Sequence, residues 1–297
     1  MLRYDIVDVF SDRPFAGNPL AVVHGAADLS SEQCLALARE FHLSETAFPV
    51  PRDSSSYDVR IFTPDGELPF AGHPTLGTAW VLRRNGLLEG VSAVQHCGVG
   101  EVGVAFLEGP PERVELASVR RDSLGELPRD VAFQMLADLG LSSVDLVEEP
   151  ALIVGAGLDF VHVRVHASAI PQAVPITDSF RDYDLEFAAL GRAEDPIEGV
   201  NLFAIEEADE VMSIRSRVFV PGVQIPEDPG TGSAAAGLGL ALRDLGLLPD
   251  GGSFEILQGV ELNRPSRISV RVEGDIAYVS GEVCAVASGE IAVPQGA

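Results

Sequence analysis

The sequence predicts an α+β protein made of two domains that share one plan, each a β-rich wrapper around a single buried helix. Internal repetition is the first reason. Four residues of one segment recur in a later segment at a constant spacing of 157 positions, namely Arg60/Arg217, Phe62/Phe219, Pro64/Pro221 and Pro69/Pro226. The second reason is that each copy reads as a strand, a proline-rich turn and a small apolar helix. A spacing near half of the chain length indicates a duplicated domain.

Each copy of the repeat predicts a buried helix after its proline-rich turn. The first helix covers about Pro74 to Arg84, and the second covers about Gly232 to Asp244. Proline suits the first position of a helix, and Gly86 and Gly246 are placed to end the two helices. Both segments are apolar on all faces, which is typical of a helix surrounded by other structure.

Most of the remaining chain predicts short strands, so each buried helix is expected to lie inside a wrapper of β structure. The predicted strands are Arg3–Phe10, Leu20–His24, Thr46–Val50, Tyr57–Phe62, Ser92–His96, Glu101–Leu107, Ala151–Val154, Asp159–Val165, Val200–Ile205, Met212–Phe219, Ser253–Leu257, Arg267–Val272 and Ala277–Val283. Amphipathic helices are predicted at Ser31–Phe41, Arg129–Leu139 and Asp178–Leu190. The turn-rich stretch Ala117–Leu127 is the predicted linker. It gives domains 1–117 and 118–297, with the last strand a candidate to cross back to the first domain.

Composition excludes several function classes. The 45 acidic and 20 basic residues give a net charge of −25, and every basic residue is arginine. Without lysine there is no Schiff-base or pyridoxal phosphate chemistry and no P-loop lysine. A surface this acidic repels phosphate backbones, so nucleic acid is not an expected partner.

The same sequence argues against membrane insertion and against a metal site. Asp5 and Asp8 interrupt the first apolar stretch, so no signal peptide is predicted, and no apolar run approaches the ~20 residues that span a bilayer. We therefore expect a cytoplasmic protein. The three scattered cysteines predict neither a disulfide framework nor a zinc site, and no metal is expected.

Two motif matches are better explained by structure than by function. The stretch Gly98–Gly103 fits the dinucleotide pattern G-x-G-x-x-G, but a strand follows it where a helix would be needed, so it predicts a glycine-rich hairpin. His162 and His166 have the spacing of two ligands on a helix. The surrounding alternation predicts a strand instead, with both histidines on a solvated face.

The candidate functional residues lie at the starts of the two buried helices and at one strand. His73 stands at the start of the first helix, and Asp228 and Ser233 stand at the corresponding place of the second. A helix start presents unpaired N–H groups that bind carboxylates. Glu45 begins an apolar strand, and a carboxylate partly withdrawn from water suits general acid/base catalysis. Each residue alone also has a plain structural explanation, as a helix cap, a core histidine or a turn acid.

Taken together and in order, six motifs make the whole chain resemble the phenazine-biosynthesis F-like (PhzF) family, which has the diaminopimelate-epimerase-like fold. They are Phe15-Ala-Gly-Asn18-Pro19, Ser44-Glu45-Thr46, Phe62-Thr-Pro64, Gly72-His73-Pro74-Thr75, Asp228-Pro-Gly-Thr-Gly-Ser233, and Gln258-Gly259 with Arg264-Pro265-Ser266.

The resemblance implies two domains, each a β-barrel-like sheet around a central helix, with the active site in the cleft between them. It implies a homodimeric isomerase without a cofactor. The family's catalytic glutamate matches Glu45, and its substrate-site histidine, aspartate and serine match His73, Asp228 and Ser233. The epimerase relatives have a cysteine pair at the two helix starts, where this chain has none, so a thiol-based epimerase is disfavoured.

These observations lead to one hypothesis and two alternatives. Glu45 takes a proton from one carbon of a small unsaturated or cyclic carboxylic acid and returns it to another carbon. His73 and Asp228 polarise the substrate's amino or hydroxyl groups or relay protons on them. Backbone N–H groups near Gly72, His73, Gly232 and Ser233 hold its carboxylate and the charge that develops beside it. The first alternative is a cofactor-independent amino-acid racemase, epimerase or dehydratase. The second is a non-catalytic dimer that binds a small carboxylate.

Overall fold

The computed structural model describes residues 1–109, 112–122, 125–175, 197–206, 211–220, 225–249 and 251–295. These residues form two compact units. One consists of Met1–Ala117 together with Ser280–Ala297, and the other of Ser118–Val279. Each unit is a β-barrel-like sheet around a central helix, which confirms the predicted α+β class.

Within its described residues, the first unit has eight strands, two helices and the end of β17 (Ile276–Ile291). Its elements are β1 Leu2–Val9, β2 Asn18–Val23, α1 Ser31–Phe41, β3 Glu45–Asp53, β4 Ser56–Phe62, β5 Glu67–Leu68, α2 Gly72–Arg84, β6 Ser92–Cys97, β7 Gly100–Leu107 and β8 Arg113–Val119, which ends just past the unit's boundary. Strand β1 pairs antiparallel with β2 and with β17, and β2 pairs parallel with β3. Strand β4 then pairs antiparallel with β3 and parallel with β6.

The second unit repeats this succession of pairings. Its elements are β9 Gly125–Glu126, α3 Arg129–Asp138, two 3₁₀ turns at Ser143–Asp145 and Ile170–Gln172, β10 Leu152–Ala156, β11 Leu158–Arg164, β12 Ile197–Glu206, β13 Met212–Phe219, β14 Glu227–Asp228, α4 Gly232–Asp244, β15 Ser253–Gln258, β16 Ser266–Glu273 and β17 Ile276–Ile291, whose end belongs to the first unit. The β10–β11, β11–β12, β12–β13 and β13–β15 pairings are antiparallel, parallel, antiparallel and parallel in turn. The two units therefore share one fold.

The register corrects one detail of the predicted repeat. Phe62 pairs with Glu67, and Phe219 pairs with Glu227, so the two short strands correspond at a spacing of 160 residues. The helices, which start at 72 and 232, keep that spacing. The match of Pro69 with Pro226 is therefore wrong, and Pro69 corresponds to Pro229. The stretch between β13 and β14 is three residues longer than the stretch between β4 and β5.

The helices follow from local sequence. Helix α1 has the predicted bounds, and Ser30 forms a capping box with Gln33 at its start. Helix α4 is buried along nearly its whole length, and α2 is buried over most of its residues, as their apolar composition predicts. Helix α2 begins at Gly72, two residues before the predicted start. The helix predicted over residues 178–190 lies outside the described residues.

The two motif matches have different outcomes. Residues 98–103 belong to the predicted hairpin, in which β6 and β7 pair with Cys97 opposite Gly100. The strand prediction for His162 is confirmed, but its solvated face is wrong, because His162 is buried. Its ring lies against α4 at Gly237, where an added Cβ would come within 2.8 Å of Nε2. His166 is exposed as predicted.

Two further observations concern membranes and metals. None of the helices in the described segments combines the length and the apolar character needed to cross a bilayer. Within those same segments, no three His, Cys, Asp or Glu side chains come together as a metal site.

Candidate active site

Glu45 and His73 meet in the first unit. Glu45 is the first residue of β3 and is mostly buried, while His73 is the second residue of α2 and is buried. His73 Nε2 lies 3.4 Å from Glu45 Oε2. Strands β2 and β3 run parallel with Leu20 opposite Glu45, so the start of β3 lies beside the start of β2. The fold thus brings a carboxylate and an imidazole together at one end of the sheet.

Asn18, the first residue of β2, fixes the orientation of the His73 ring. Its Nδ2 lies 3.2 Å from His73 Nδ1. An amide nitrogen only donates, so Nδ1 accepts, and the single proton of a neutral ring sits on Nε2. Burial lowers the pKa of His73 to about 3, with the Pro19 carbonyl opposing the shift. The ring is therefore neutral near pH 7 and presents an N–H toward Glu45.

A buried hydrogen-bond chain holds the start of α2. The Tyr57 hydroxyl donates to Gln95 Oε1 at 3.0 Å, and Gln95 Nε2 donates to Thr75 Oγ1 at 2.9 Å. The Thr75 hydroxyl donates in turn to the carbonyl of Ala71 at 2.9 Å. Ala71 is the residue before the helix, so the chain fixes the backbone that carries His73 two residues later.

The starts of both central helices lack side-chain caps. Ala71 precedes α2 and Thr231 precedes α4, and neither side chain accepts a hydrogen bond from its helix. Gly72 and Gly232 are the first helical residues, followed by His73 and the buried Ser233. Backbone N–H groups at an uncapped helix start, together with the positive end of the helix dipole, suit an anion such as a carboxylate.

Asp228 lies in the second unit within a network of three side chains. The Thr231 hydroxyl donates to Asp228 Oδ2 at 2.5 Å. Gln258 Nε2 donates to the Asp228 carbonyl at 2.7 Å and to Thr231 Oγ1 at 3.0 Å, while Gln258 Oε1 accepts from the Thr231 N–H at 3.2 Å. Asp228 is a half-buried residue of β14, and this network holds its side chain in place.

Close packing explains the two glycines that follow corresponding strands, Gly98 after β6 and Gly259 after β15. A Cβ added to Gly259, whose φ is +72°, would lie 2.5 Å from the Pro229 carbonyl oxygen. A Cβ added to Gly98 would lie 2.7 Å from the Cα of Pro69. In both units the turn before the helix therefore rests directly on a glycine, and any side chain there would displace the helix start.

An arginine–glutamate pair supports each short strand, with different burial in the two copies. In the second unit, Arg217 donates to both carboxylate oxygens of Glu227 at 2.8 Å, and each side chain is 4% exposed. In the first unit, Arg60 makes the same paired contact with Glu67, but the side chains are 36% and 41% exposed. The buried pair immediately precedes Asp228, whereas Leu68 follows the exposed pair.

The structure adds three residues to the predicted set: Asn18 in the first unit, and Thr231 and Gln258 in the second. All three stand in motifs that carry the family resemblance, but no local signature shows which partners these polar side chains contact. Thr231 reads as an ordinary helix cap, and only the three-dimensional contacts show that its hydroxyl faces Asp228.

Comparisons with known proteins agree with this architecture. The chain matches the family model described as phenazine biosynthesis-like protein over residues 7–289. It is 35% identical over 300 residues to trans-2,3-dihydro-3-hydroxyanthranilate isomerase of Pseudomonas aeruginosa, covering 97% of this chain and 99% of that protein. It is 33% identical over 305 residues to an uncharacterized isomerase of Pasteurella multocida, covering 99% and 95%. The solved structure of a predicted epimerase from Pseudomonas aeruginosa, 28% identical, superposes with a TM-score of 0.82 over 98% of this chain and 99% of the other.

Proposed function

We propose that Glu45 moves the proton in the reaction that this protein catalyses. The chain belongs to the phenazine biosynthesis-like protein family and is an isomerase of that type. The observation that carries the proposal is the 3.4 Å approach of its carboxylate to the N–H of a neutral, buried histidine. A positioned carboxylate next to a neutral donor is able to accept a proton and return it.

The reaction we propose is an allylic proton shift. The Glu45 carboxylate removes a proton from one carbon, and the electron pair of that C–H bond forms a new double bond to the central carbon. The electron pair of the original double bond moves to the far carbon, where it forms the new C–H bond. Glu45 then delivers the same proton to the far carbon of the allylic system, so no atoms are gained or lost. His73 stays neutral throughout, and its Nε2, 3.4 Å from Glu45 Oε2, is placed to donate a hydrogen bond to the charge that develops in the transition state.

The proposed substrate is a cyclic, unsaturated amino acid such as trans-2,3-dihydro-3-hydroxyanthranilate, which the name of one relative gives as its substrate. The uncapped helix starts at Gly72 and Gly232 offer N–H groups for a carboxylate. Asp228, with Thr231 donating to it, is suited to accept a hydrogen bond from an amino group. We propose that the second unit takes part in binding through Asp228 and the start of α4, where Ser233 lies.

Solvent exchange tests the proposal. The substrate is added to the protein in D₂O and followed by proton NMR, with Glu45→Gln compared with wild type and with Glu40→Gln, an exposed glutamate of α1. We expect the double bond to move in wild type and in Glu40→Gln, with deuterium entering at one carbon to the extent that Glu45 exchanges with solvent. Glu45→Gln should lower kcat/KM by about 10²–10⁴-fold. A Glu45→Gln rate within tenfold of wild type would exclude this role.

The same spectra separate the alternatives. Exchange confined to an α-carbon without movement of the double bond would indicate a racemase. Binding that survives Glu45→Gln, with no exchange in any sample, would indicate a carboxylate-binding protein. The expected homodimer, cytoplasmic location and independence from cofactors stay predictions. Light scattering of the purified protein tests the first, and activity after dialysis against a chelator tests the last.

A further inference from the structure

Asp228, Thr231 and Gln258 form a group that the two copies of the fold do not share. The register of β4–β5 and β13–β14 makes Leu68 the counterpart of Asp228. The residues before the two helices, Ala71 and Thr231, correspond as well.

The third member of the group is also confined to the second unit. Pairing of β4 with β6 and of β13 with β15 makes Cys97 the counterpart of Gln258, because each is the last residue of its strand. All three polar residues are present in one copy and absent from the other. The first unit forms the same strand, short strand and central helix without these three residues. Folding of that motif therefore does not explain why they are present in the second unit.

The direction of each hydrogen bond in the group follows from two backbone groups of fixed polarity. The Asp228 carbonyl can only accept, and the Thr231 N–H can only donate. Gln258 must therefore place Nε2 toward the carbonyl and Oε1 toward the N–H, as observed.

That orientation decides what Thr231 does. Gln258 Nε2 also lies 3.0 Å from Thr231 Oγ1, and because an amide nitrogen donates, the hydroxyl oxygen accepts. The single hydroxyl proton is then directed to Asp228 Oδ2 at 2.5 Å. A threonine before a helix ordinarily accepts a bond from the helix, but this one makes no such bond. Its hydroxyl is committed to the carboxylate.

We infer that Thr231 and Gln258 are positioning residues that hold Asp228 as an ionised hydrogen-bond acceptor. This role rests on the proposed function of Asp228 and narrows it: Asp228 receives a hydrogen bond from the substrate, while Glu45 carries the migrating proton. The neighbouring acid, Glu227, is already neutralised by Arg217 in a buried pair. The hydroxyl of Thr231 is thus a specific contact by which the fold favours the charged form of Asp228.

An NMR titration tests this inference without a substrate. The protein is labelled with ¹³C at the side-chain carboxyl carbon of aspartate, and the Asp228 signal is identified by its absence from Asp228→Asn. Thr231→Val removes the hydroxyl at nearly constant shape, and Thr231→Ser retains it. We expect the titration midpoint of Asp228 to rise by about one pH unit in Thr231→Val and to stay near the wild-type value in Thr231→Ser, because the charged form loses a donor only in the first.

Two controls and one kinetic comparison complete the experiment. Thr78→Val removes a buried hydroxyl in α2 that makes no hydrogen bond among the described residues, and it should leave the Asp228 midpoint unchanged. In kinetics, Thr231→Val should lower kcat/KM about tenfold in the wild-type background and cause no further loss in Asp228→Asn.

The outcomes separate this inference from the proposed function. A midpoint unchanged by Thr231→Val, or raised equally by Thr231→Ser, would overturn the role of the hydroxyl. Full activity in Asp228→Asn would instead remove Asp228 from the reaction, whatever its titration shows. An equal loss from Thr231→Val in both backgrounds would mean that Thr231 acts on the fold and not through Asp228.

Discussion

His73 approaches Glu45 at 3.4 Å while burial keeps the imidazole neutral. The contact is therefore not an ion pair between an imidazolium and a carboxylate. A positive ring would stabilise the Glu45 carboxylate and make it a weaker base. A neutral N–H also orients the carboxylate, but it lowers the basicity of the carboxylate less. The pair thus combines geometric control with a carboxylate that is still able to accept a proton.

Asn18→Asp should reverse the tautomer of His73. In the wild type Asn18 donates to Nδ1, which leaves the ring proton on Nε2 beside Glu45. A carboxylate at position 18 would accept from Nδ1 instead, so Nε2 would lose its proton. Nitrogen chemical shifts of the ring in ¹⁵N-labelled protein distinguish the two forms. Asn18→Asp should also lower kcat/KM by about 10–100-fold, the loss that typically follows when the partner that orients a metal-bound histidine is removed. An unchanged tautomer would contradict the assigned orientation of Asn18.

His162→Gln should weaken the loss of stability in acid. Burial lowers the pKa of His162 to about 4, from an ordinary value of 6.5, with the Val154 carbonyl opposing the shift. Below pH 6.5 the unfolded chain binds a proton that the folded ring refuses until about pH 4. Its contribution to stability is therefore complete above pH 6.5 and is lost as the pH falls toward 4.

Urea denaturation at pH 7.5 and pH 5 measures this difference. Between those values His162→Gln should lose about 2 kcal/mol less of its unfolding free energy than wild type loses. His166→Gln, which changes an exposed histidine that follows β11, serves as the matched control and should keep the wild-type difference. If His162→Gln and His166→Gln behaved alike, the buried ring would not be the acid-sensitive group.

Arg217→Met and Arg60→Met should have unequal effects on stability. Arg217→Met leaves the Glu227 carboxylate buried without its partner, which typically costs about 3–5 kcal/mol. Arg60→Met removes the corresponding exposed pair with Glu67 and should cost at most about 1 kcal/mol. Chemical denaturation of both variants tests this. The double variant Arg217→Met/Glu227→Leu should recover most of the loss, and equal costs for the two single variants would contradict the assigned burial.

Added salt should raise the melting temperature of this chain. Its net charge of −25 makes the folded state repel itself, because 20 arginines offset fewer than half of the 45 acidic side chains. Raising the ionic strength from about 0.01 M to 0.15 M shortens the screening length from about 30 Å to about 8 Å. Calorimetry over this range of NaCl should show a steady increase. A melting temperature that stays constant or falls would show that self-repulsion is not a significant cost.

Local patterns predicted the elements of the fold better than the contacts between them. Helix α1 was predictable because the apolar side chains between positions 31 and 41 have helical spacing and Ser30 caps the start of the helix. His162 was placed on a solvated face because polar residues alternate along its strand. The actual strand is covered by α4, and the partner that satisfies the ring, Asn201 Nδ2 at 3.2 Å from Nδ1, lies 39 positions away in the sequence.

In the candidate site, too, local patterns were predictable and contacts between distant residues were not. Residue type and position at a helix start were enough to single out His73 and Ser233. The role of Thr231 depends on Gln258, which lies 27 residues further along, so no local pattern contains it. The gapless match of Pro69 with Pro226 was plausible by spacing, and only the strand register shows that the second turn is longer.

The position of β17 has a consequence for the order in which the protein is assembled during synthesis. Strand β1 lies between β2 and the last part of β17, with Leu2 opposite Ile291. The ribosome makes β1 274 to 289 residues before the part of β17 that pairs with it, from Val9 opposite Val283 to Leu2 opposite Ile291. The unit formed by residues 118–279 is continuous in sequence and is able to close first. Until β17 emerges, β1 keeps an unpaired edge, so the synthesis of β17 controls when the unit that carries Glu45 and His73 is complete.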